Sequence, residues 1–349
     1  MYKKQCPSHE SLKHLNTFLI NVNAKKIIFV QTIQSLLKTW KMCQLYNIPY
    51  IILGEGSNVL FLENYIGLVI INRIKGIRIT EKKHIWSLHV FSGEKWHDFV
   101  KYTLRTGIFG LENLALIPGC VGSAVVQNIG AYGLELKNVC QYVDVISLKN
   151  GTVKRINAKF CKFSYRHSIF KNQYNNEHAI IAVGIIIKKK WNPIIVRSML
   201  KYIQPKRVTA YHIFKTICKI RIKKLPNLKK VGNAGSFFKN PIITQAHAKK
   251  LISLYKNIPY QLQDHGLVKI SAAWLIEKYQ FKNIQIGGAS IYKRQKLILI
   301  NQQNATAHEI IQLAKIIQKG IFKKFNIYLQ LEVDLITTSK KITSLNIST

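Results

Sequence analysis

Tyr50-Ile51-Ile52-Leu53-Gly54-Glu55-Gly56-Ser57-Asn58-Val59-Leu60-Phe61 is the stretch on which the fold turns. Four apolar residues bounded by turn formers read as a buried strand. Gly54-Glu55-Gly56 directly after it invites a dinucleotide-binding βαβ reading. That fingerprint needs a third glycine, which falls on Val59, and then a long amphipathic helix. Instead Val59-Leu60-Phe61 continues apolar, and a second strand reads at Leu68 to Ile71. The loop is therefore either a tight turn or a phosphate cradle of another kind. Gly54 and Gly56 offer bare backbone amides, and Ser57 and Asn58 add side-chain donors. Upstream, Ile33, Leu36, Leu37, Trp40 and Cys43 at helical spacing predict a helix over 33–47.

Two further islands share this character. Glu112 to Ser123 runs on to Gln127-Asn128-Ile129-Gly130-Ala131-Tyr132-Gly133, with Gly119 and Gly122 among small residues and amides. A loop this long inside a compact domain is usually functional, and it would form a backbone-lined trough for a large planar or pyrophosphate ligand. Gly232-Asn233-Ala234-Gly235-Ser236-Phe237-Phe238-Lys239-Asn240-Pro241 puts a hydroxyl, an ammonium and an amide within five residues. Each can bind an anion or move a proton, although the same residues are ordinary turn formers. Tyr165-Arg166-His167-Ser168 offers a guanidinium that could fork onto a carboxylate, or a plain basic turn. Glu332 is one of only 15 acidic residues; taken alone it reads as a partly exposed strand carboxylate.

The chain has 349 residues, which points to two or three domains, and its 48% hydrophobic content can fill sizeable cores. The boundaries read as 1–71, 72–210 and 211–336, with a polar, mobile tail at 337–349. Helices are expected at Trp96 to Thr106, closed by Gly107, and near Ser271 to Tyr279 with Ser271 as N-cap. A third is expected over Ala305 to Phe325, opened by the capping box of Thr306 and Glu309. Ile327, Leu329, Leu331, Val333 and Leu335 alternate, which turns Glu332 to the opposite face of a strand. No uninterrupted apolar run is long enough for a membrane span, and the start of the chain lacks the apolar core of a signal peptide. The six scattered cysteines form no Cys-x-x-Cys pair and suggest neither zinc nor a disulfide framework, so a reduced cytoplasm fits.

The 53 Lys and Arg against 15 Asp and Glu leave a net charge of +38. Nucleic-acid binding is the first thought. Yet the lysines are spread through nearly every segment, and the abundance of Ile, Lys and Asn matches AT-rich codons. Much of the charge therefore reads as compositional drift, although its field would draw in an anionic substrate or dinucleotide.

Together these residues resemble the UDP-N-acetylenolpyruvoylglucosamine reductase family, also called UDP-N-acetylmuramate dehydrogenase. The resemblance runs from Leu12-Lys13-His14-Leu15-Asn16-Thr17-Phe18 to Leu331-Glu332-Val333. It passes through Gly54 to Phe61, Gly93 to Phe99, Glu112 to Gly133, Tyr165 to Lys171, Gly232 to Pro241, Lys269 to Ile276 and Gln285 to Ala289. It implies an α+β fold: two subdomains binding FAD in the vanillyl-alcohol-oxidase manner, and a third α+β domain for the substrate. It implies that hydride passes from NADPH through FAD to C3 of UDP-N-acetylglucosamine enolpyruvate. Protonation at C2 completes the product, with no nucleic acid and no metal involved.

By resemblance Arg166 neutralises the enolate-like charge that develops towards the substrate carboxylate, Glu332 in its acid form hydrogen-bonds it, and Ser236 gives the proton to C2. Lys224, Asn240 and Gln295 match positions that touch the diphosphate and pyruvyl end. Gly54, Gly56, Ser57, Asn58, Gly119, Gly122, Ser123, Asn128, Gly130, Ala131 and Gly133 match the FAD loops. Four departures stand out. The family's Leu-Glu-Pro-Glu-Val is Leu329-Gln330-Leu331-Glu332-Val333 here, which keeps only the second acid. Val126 replaces a usual proline and Ala273 a glycine, and Arg197 stands where relatives with a mobile lid carry a tyrosine over the substrate. Two rivals stay open, another flavoprotein of the same fold and a decayed basic nucleic-acid binder.

Overall fold

The computed structural model describes residues 9–171, 177–203, 208–281 and 284–342. The chain divides into two compact units. The first holds residues 24–56 and 66–223; the second holds 9–23, 57–65 and the chain from 224 on. Within the loop that opens the sequence argument, the division falls between Gly56 and Ser57.

The first unit has two cores. In one, the strands Asn23–Val30, Tyr65–Asn72 and Tyr50–Leu53 lie side by side, and Tyr50–Leu53 runs parallel to Leu68–Ile71. The helix Ile33–Leu45 packs Leu36, Trp40 and Cys43 against Val30, Leu68 and Ile70. Thr32 caps it, accepting from the Ser35 N–H at 3.0 Å. The larger core is built on a five-stranded antiparallel sheet in the order Val153–Asn157, Cys140–Ser147, His178–Lys188, Ile85–Phe91, Ile77–Glu81. Its inner face, with Val90, Val143, Val183 and Ile185, meets Trp96 and Phe99 of the helix Trp96–Arg105 and Val125 of the helix Val121–Val126. Ile213 and Ile217 of the helix Ala210–Lys224 complete this core. Gly107, at φ +75°, ends the Trp96 helix where the sequence places the stop.

The second unit is assembled from small sheets around the helix Ala307–Phe325, whose buried stripe is Ile310, Leu313, Ile317 and Ile321. The expected capping box is present, Thr306 and Glu309 each accepting from the other's backbone N–H. Ser271 caps the helix Ala272–Tyr279 by accepting from Trp274 N–H at 3.3 Å. The strand Val59–Phe61 runs parallel to Asp334–Ile336, so no helix follows the glycine loop.

Two expectations are corrected. The apolar alternation holds only as far as Leu331: Glu332, Val333 and Asp334 are all buried, and the strand proper is Asp334–Ile336. Beyond Leu331 the backbone turns to serve two partners, Phe237 and Asn58, so side chains on both sides are enclosed. The segment after Ile336, expected to be loose, turns back instead. Thr337 N–H donates to Lys340 O, Lys341–Ile342 pairs with Leu335 and Ile336, and the Lys341 ammonium meets Asp334 at 2.8 Å. Residues 343–349 lie outside the described residues. Among the described residues no helix is long and apolar enough to cross a membrane.

Candidate functional site

In the first unit the two glycine islands are stitched to one another. Glu55 does the stitching: one carboxylate oxygen accepts the Gly119 N–H at 2.9 Å and the other lies 3.2 Å from the Lys95 ammonium. A Cβ on Gly54 would fall 3.1 Å from Cys120 Sγ, so the loops approach closely at that point. Arg73 fixes the strand end by donating to Gly54 O at 2.8 Å. Gly56 takes φ +58°, the left-handed turn that glycine adopts without penalty.

The trough has a more structured floor than its sequence suggests. The helix Val121–Val126 occupies part of it, and Ser123 caps that helix, accepting from Cys120 N–H and donating to Cys120 O. Gly122 is needed for contact, since a Cβ there would lie 2.6 Å from Ser92 Cβ. Gly130 and Ala131 pair with Glu135 and Leu134 in a short hairpin. Gly133, at φ +85°, makes its turn. The fully buried Asn128 donates to Glu135 and to Ser164 O and accepts from Lys137 N–H, so its amide orders the loop from behind. Gly119, Ser123 and Asn128 thus have their polar groups engaged within the protein, although Ser123 is exposed.

Arg166 sits at the tip of a tight turn in which Ser164 and His167 exchange backbone hydrogen bonds. Its φ of +54° is uncommon for a long side chain and is the type of local strain that clusters at functional positions. Its guanidinium reaches Gly130 O at 3.5 Å and lies over the Tyr165 ring. The turn and the trough are thereby joined, because Ser168 Oγ also donates to Val126 O at 2.8 Å. Arg197 is exposed at the start of the short 3-10 turn Arg197–Met199. The residues before it are tied to the trough: Asn113 Nδ2 donates to both Tyr132 O and Ile194 O.

In the second unit the Gly232 to Pro241 run is threaded between two segments. Gly232 has no room for a side chain, since a Cβ would lie 2.0 Å from Phe18 O. Asn233 folds back to accept from Gly235 N–H, and Gly235 takes φ +72°. Phe237 N–H then donates to Leu297 O, Phe237 O accepts from Glu332 N–H at 2.9 Å, and Lys239 N–H donates to Gln330 O. The Phe237 and Phe238 rings, fully buried and 5.2 Å apart, anchor the run. Ser236 is half-buried beside them, in the residue before the one that pairs with Glu332.

Glu332 is 8% exposed, which removes the reading of a partly exposed carboxylate. Asn58 Nδ2 donates to Glu332 O at 3.1 Å, and Asp334 N–H donates to Asn58 O. Asn58, assigned to the cofactor from sequence, therefore holds the catalytic candidate's backbone as well. Asn240 Oδ1 accepts from Ala272 N–H and adds a second cap to the Ala272 helix. Lys224 is exposed at the end of its helix, and Gln295 is half-buried in the turn after Tyr292.

Sequence reasoning passed over Glu55, His97, Tyr132 and Arg221, all of which order the loops. The one signal for Glu55 was its rarity as an acid in so basic a chain; His97 stood inside a quoted motif without a role. The trough fits a large polar ligand by its unspent groups. Gln127 Oε1 and Arg221 Nε, an acceptor and a donor, are buried with no hydrogen-bond partner among the described residues. An FAD would be held by the loops 54–56 and 119–133, with Gln127 as a side-chain partner.

Residues 24–157 match the FAD binding domain family, and residues 226–336 match the UDP-N-acetylenolpyruvoylglucosamine reductase, C-terminal domain family. The UDP-N-acetylenolpyruvoylglucosamine reductase of Buchnera aphidicola subsp. Schizaphis graminum is 69% identical over 342 residues, 98% of this chain and 99% of that protein. The Escherichia coli K12 protein of the same name is 48% identical over 336 residues, 96% of this chain and 98% of its own. The crystal structure of the Thermus caldophilus reductase superposes with a TM-score of 0.64 at 20% identity, covering 94% of this chain and 98% of that one. The α+β fold, the FAD-binding domain and the near end-to-end identity lead to one conclusion: the chain belongs to the UDP-N-acetylenolpyruvoylglucosamine reductase family.

Proposed function

We propose that the protein reduces UDP-N-acetylglucosamine enolpyruvate to UDP-N-acetylmuramate at the expense of NADPH, a cytoplasmic step of peptidoglycan precursor synthesis. The observation that carries this reading is the pairing of the Ser236 run with the Glu332 segment through Phe237 O and Glu332 N–H. Ser236, with its hydroxyl, and Glu332, with its buried carboxyl, thus lie on neighbouring, hydrogen-bonded backbones, which supports giving the two residues one site. FAD, when bound, supplies the hydride relay between NADPH and the enolpyruvyl group.

The chain's own residues supply the rest. Ser236 Oγ gives its proton to C2, and the fixed backbone either side of it makes proximity the main source of rate. Arg166 neutralises the charge that develops towards the substrate carboxylate, and Glu332 in its acid form hydrogen-bonds the same charge. Lys224, Asn240 and Gln295 bind the substrate's diphosphate and pyruvyl end, and Arg197 takes the place of the lid tyrosine. We further assign the FAD site to two subdomains, supported by the two separate cores of the first unit. The dispersal of lysine through the sequence argues against a nucleic-acid partner.

The test follows the flavin spectrum of the purified protein. NADPH should bleach the oxidised band under anaerobic conditions, and UDP-N-acetylglucosamine enolpyruvate should then restore it with formation of UDP-N-acetylmuramate. A flavin that bleaches with NADPH but is not restored by this substrate would leave another oxidoreductase of the same fold as the better reading.

A further inference from the structure

Leu116 lies in the trough at φ +56°, a conformation that is unfavourable for a bulky residue and persists only where the surroundings enforce it. Both polar groups of this residue are taken by side chains. Its N–H donates to His97 Nδ1 at 3.0 Å, and its carbonyl accepts from Arg221 Nη2 at 3.1 Å. The two side chains arrive from different helices, Trp96–Arg105 and Ala210–Lys224. They also brace one another: the His97 ring stacks on Phe214, two helical turns before Arg221, at 5.8 Å and 5°. The Arg221 guanidinium also acts electrostatically on the Tyr132 hydroxyl, which ties the clamp to the far end of the same loop.

We propose that His97 and Arg221 are positioning residues that clamp the Leu116 peptide in its strained form and so hold the FAD loop in its binding shape, with protonation of His97 releasing the clamp. This rests on the assignment of the trough to FAD. The chemistry of release is simple. A ring nitrogen that accepts an N–H must be unprotonated, and an imidazolium would turn a donor on a donor.

The groups facing His97 are Lys101 and Asp98 on its own helix and Arg221 on the other. Burial holds the His97 imidazole below its ordinary value, Lys101 and Arg221 push the same way, and Asp98 opposes them. The sign follows. Because the folded value is depressed, the neutral ring's contribution is complete above the ordinary imidazole value of 6.5. It is lost as pH falls from there through the depressed folded value.

The experiment combines two readouts on the purified protein, each against His97→Gln. Glutamine can still accept the Leu116 N–H but does not titrate. FAD affinity by flavin fluorescence, from about pH 5 to 8, should weaken about tenfold at the acid end for the natural protein and stay flat for His97→Gln. Arg221→Gln should weaken FAD binding about tenfold at every pH. Protection of the peptide containing Leu116 from hydrogen exchange, taken relative to the intrinsic rate at each pH and measured without FAD, should fall on acidification in the natural protein and not in His97→Gln. Identical pH profiles for the two proteins in both readouts would overturn the clamp. Exchange that follows the clamp while FAD fails to bind at any pH would instead overturn the assignment of the trough to FAD.

Discussion

Glu332 shows what a single position owes to distant partners. Its own sequence context, apolar residues on alternate positions, would send it to the open side of a strand. The segment is instead gripped from two sides, by Phe237 O on its N–H and Asn58 Nδ2 on its carbonyl, and the carboxyl is enclosed. Neither grip is visible without the fold, because Asn58 and Glu332 are 274 residues apart. What the sequence did carry was the chemistry of the types: a rare acid, a serine in a glycine run, an arginine in a short turn. Glu332→Gln keeps the shape but removes the acid. It should slow substrate reduction by about tenfold to a hundredfold while leaving FAD bound and NADPH oxidation unchanged. Single-turnover absorbance of the two half-reactions checks this, and an unchanged second half-reaction would take Glu332 out of the mechanism.

Elements were legible where one segment decides them alone. The capping box and the apolar stripe of Ala307–Phe325, the Ser271 cap and the Gly107 stop are local, and each appears where the residues place it. Elements defined by a partner were not. The five-stranded sheet is an instance. Its outer face carries a network in which Arg155 forks onto Asp144 at 2.8 Å and stacks 3.7 Å from the Tyr142 ring centroid, while Tyr142 OH pairs with His89 Nδ1 at 3.0 Å. The Tyr142 ring can lie flat across the neighbouring strand only because Gly184 is there; a Cβ would fall 2.2 Å from the ring. Gly184→Val should therefore destabilise the protein by about 1–3 kcal/mol. Adding Tyr142→Ala should recover part of the loss, since the two changes share one space. Thermal unfolding of the two single variants and the double variant measures this; strict additivity would mean that the ring does not rest on Gly184.

At the scale of the molecule, the chain builds a cofactor unit with two cores and a second unit around one long helix, and the opening glycine loop is divided between them at Gly56. Composition could not reveal this, because the second unit is drawn from three separate stretches of sequence. Nor could it say that the glycine islands are held largely by internal contacts, such as Glu55 on Gly119 and Ser92 against Gly122. We propose that the reaction runs as a flavin reduction followed by hydride transfer to the substrate with protonation at C2, Ser236 being needed only for the second. Ser236→Ala followed through both half-reactions tests it most directly. NADPH should bleach the flavin at the rate of the natural protein, and reoxidation by UDP-N-acetylglucosamine enolpyruvate should slow about a hundredfold to ten-thousandfold. Equal losses in both half-reactions, or none in the second, would contradict it.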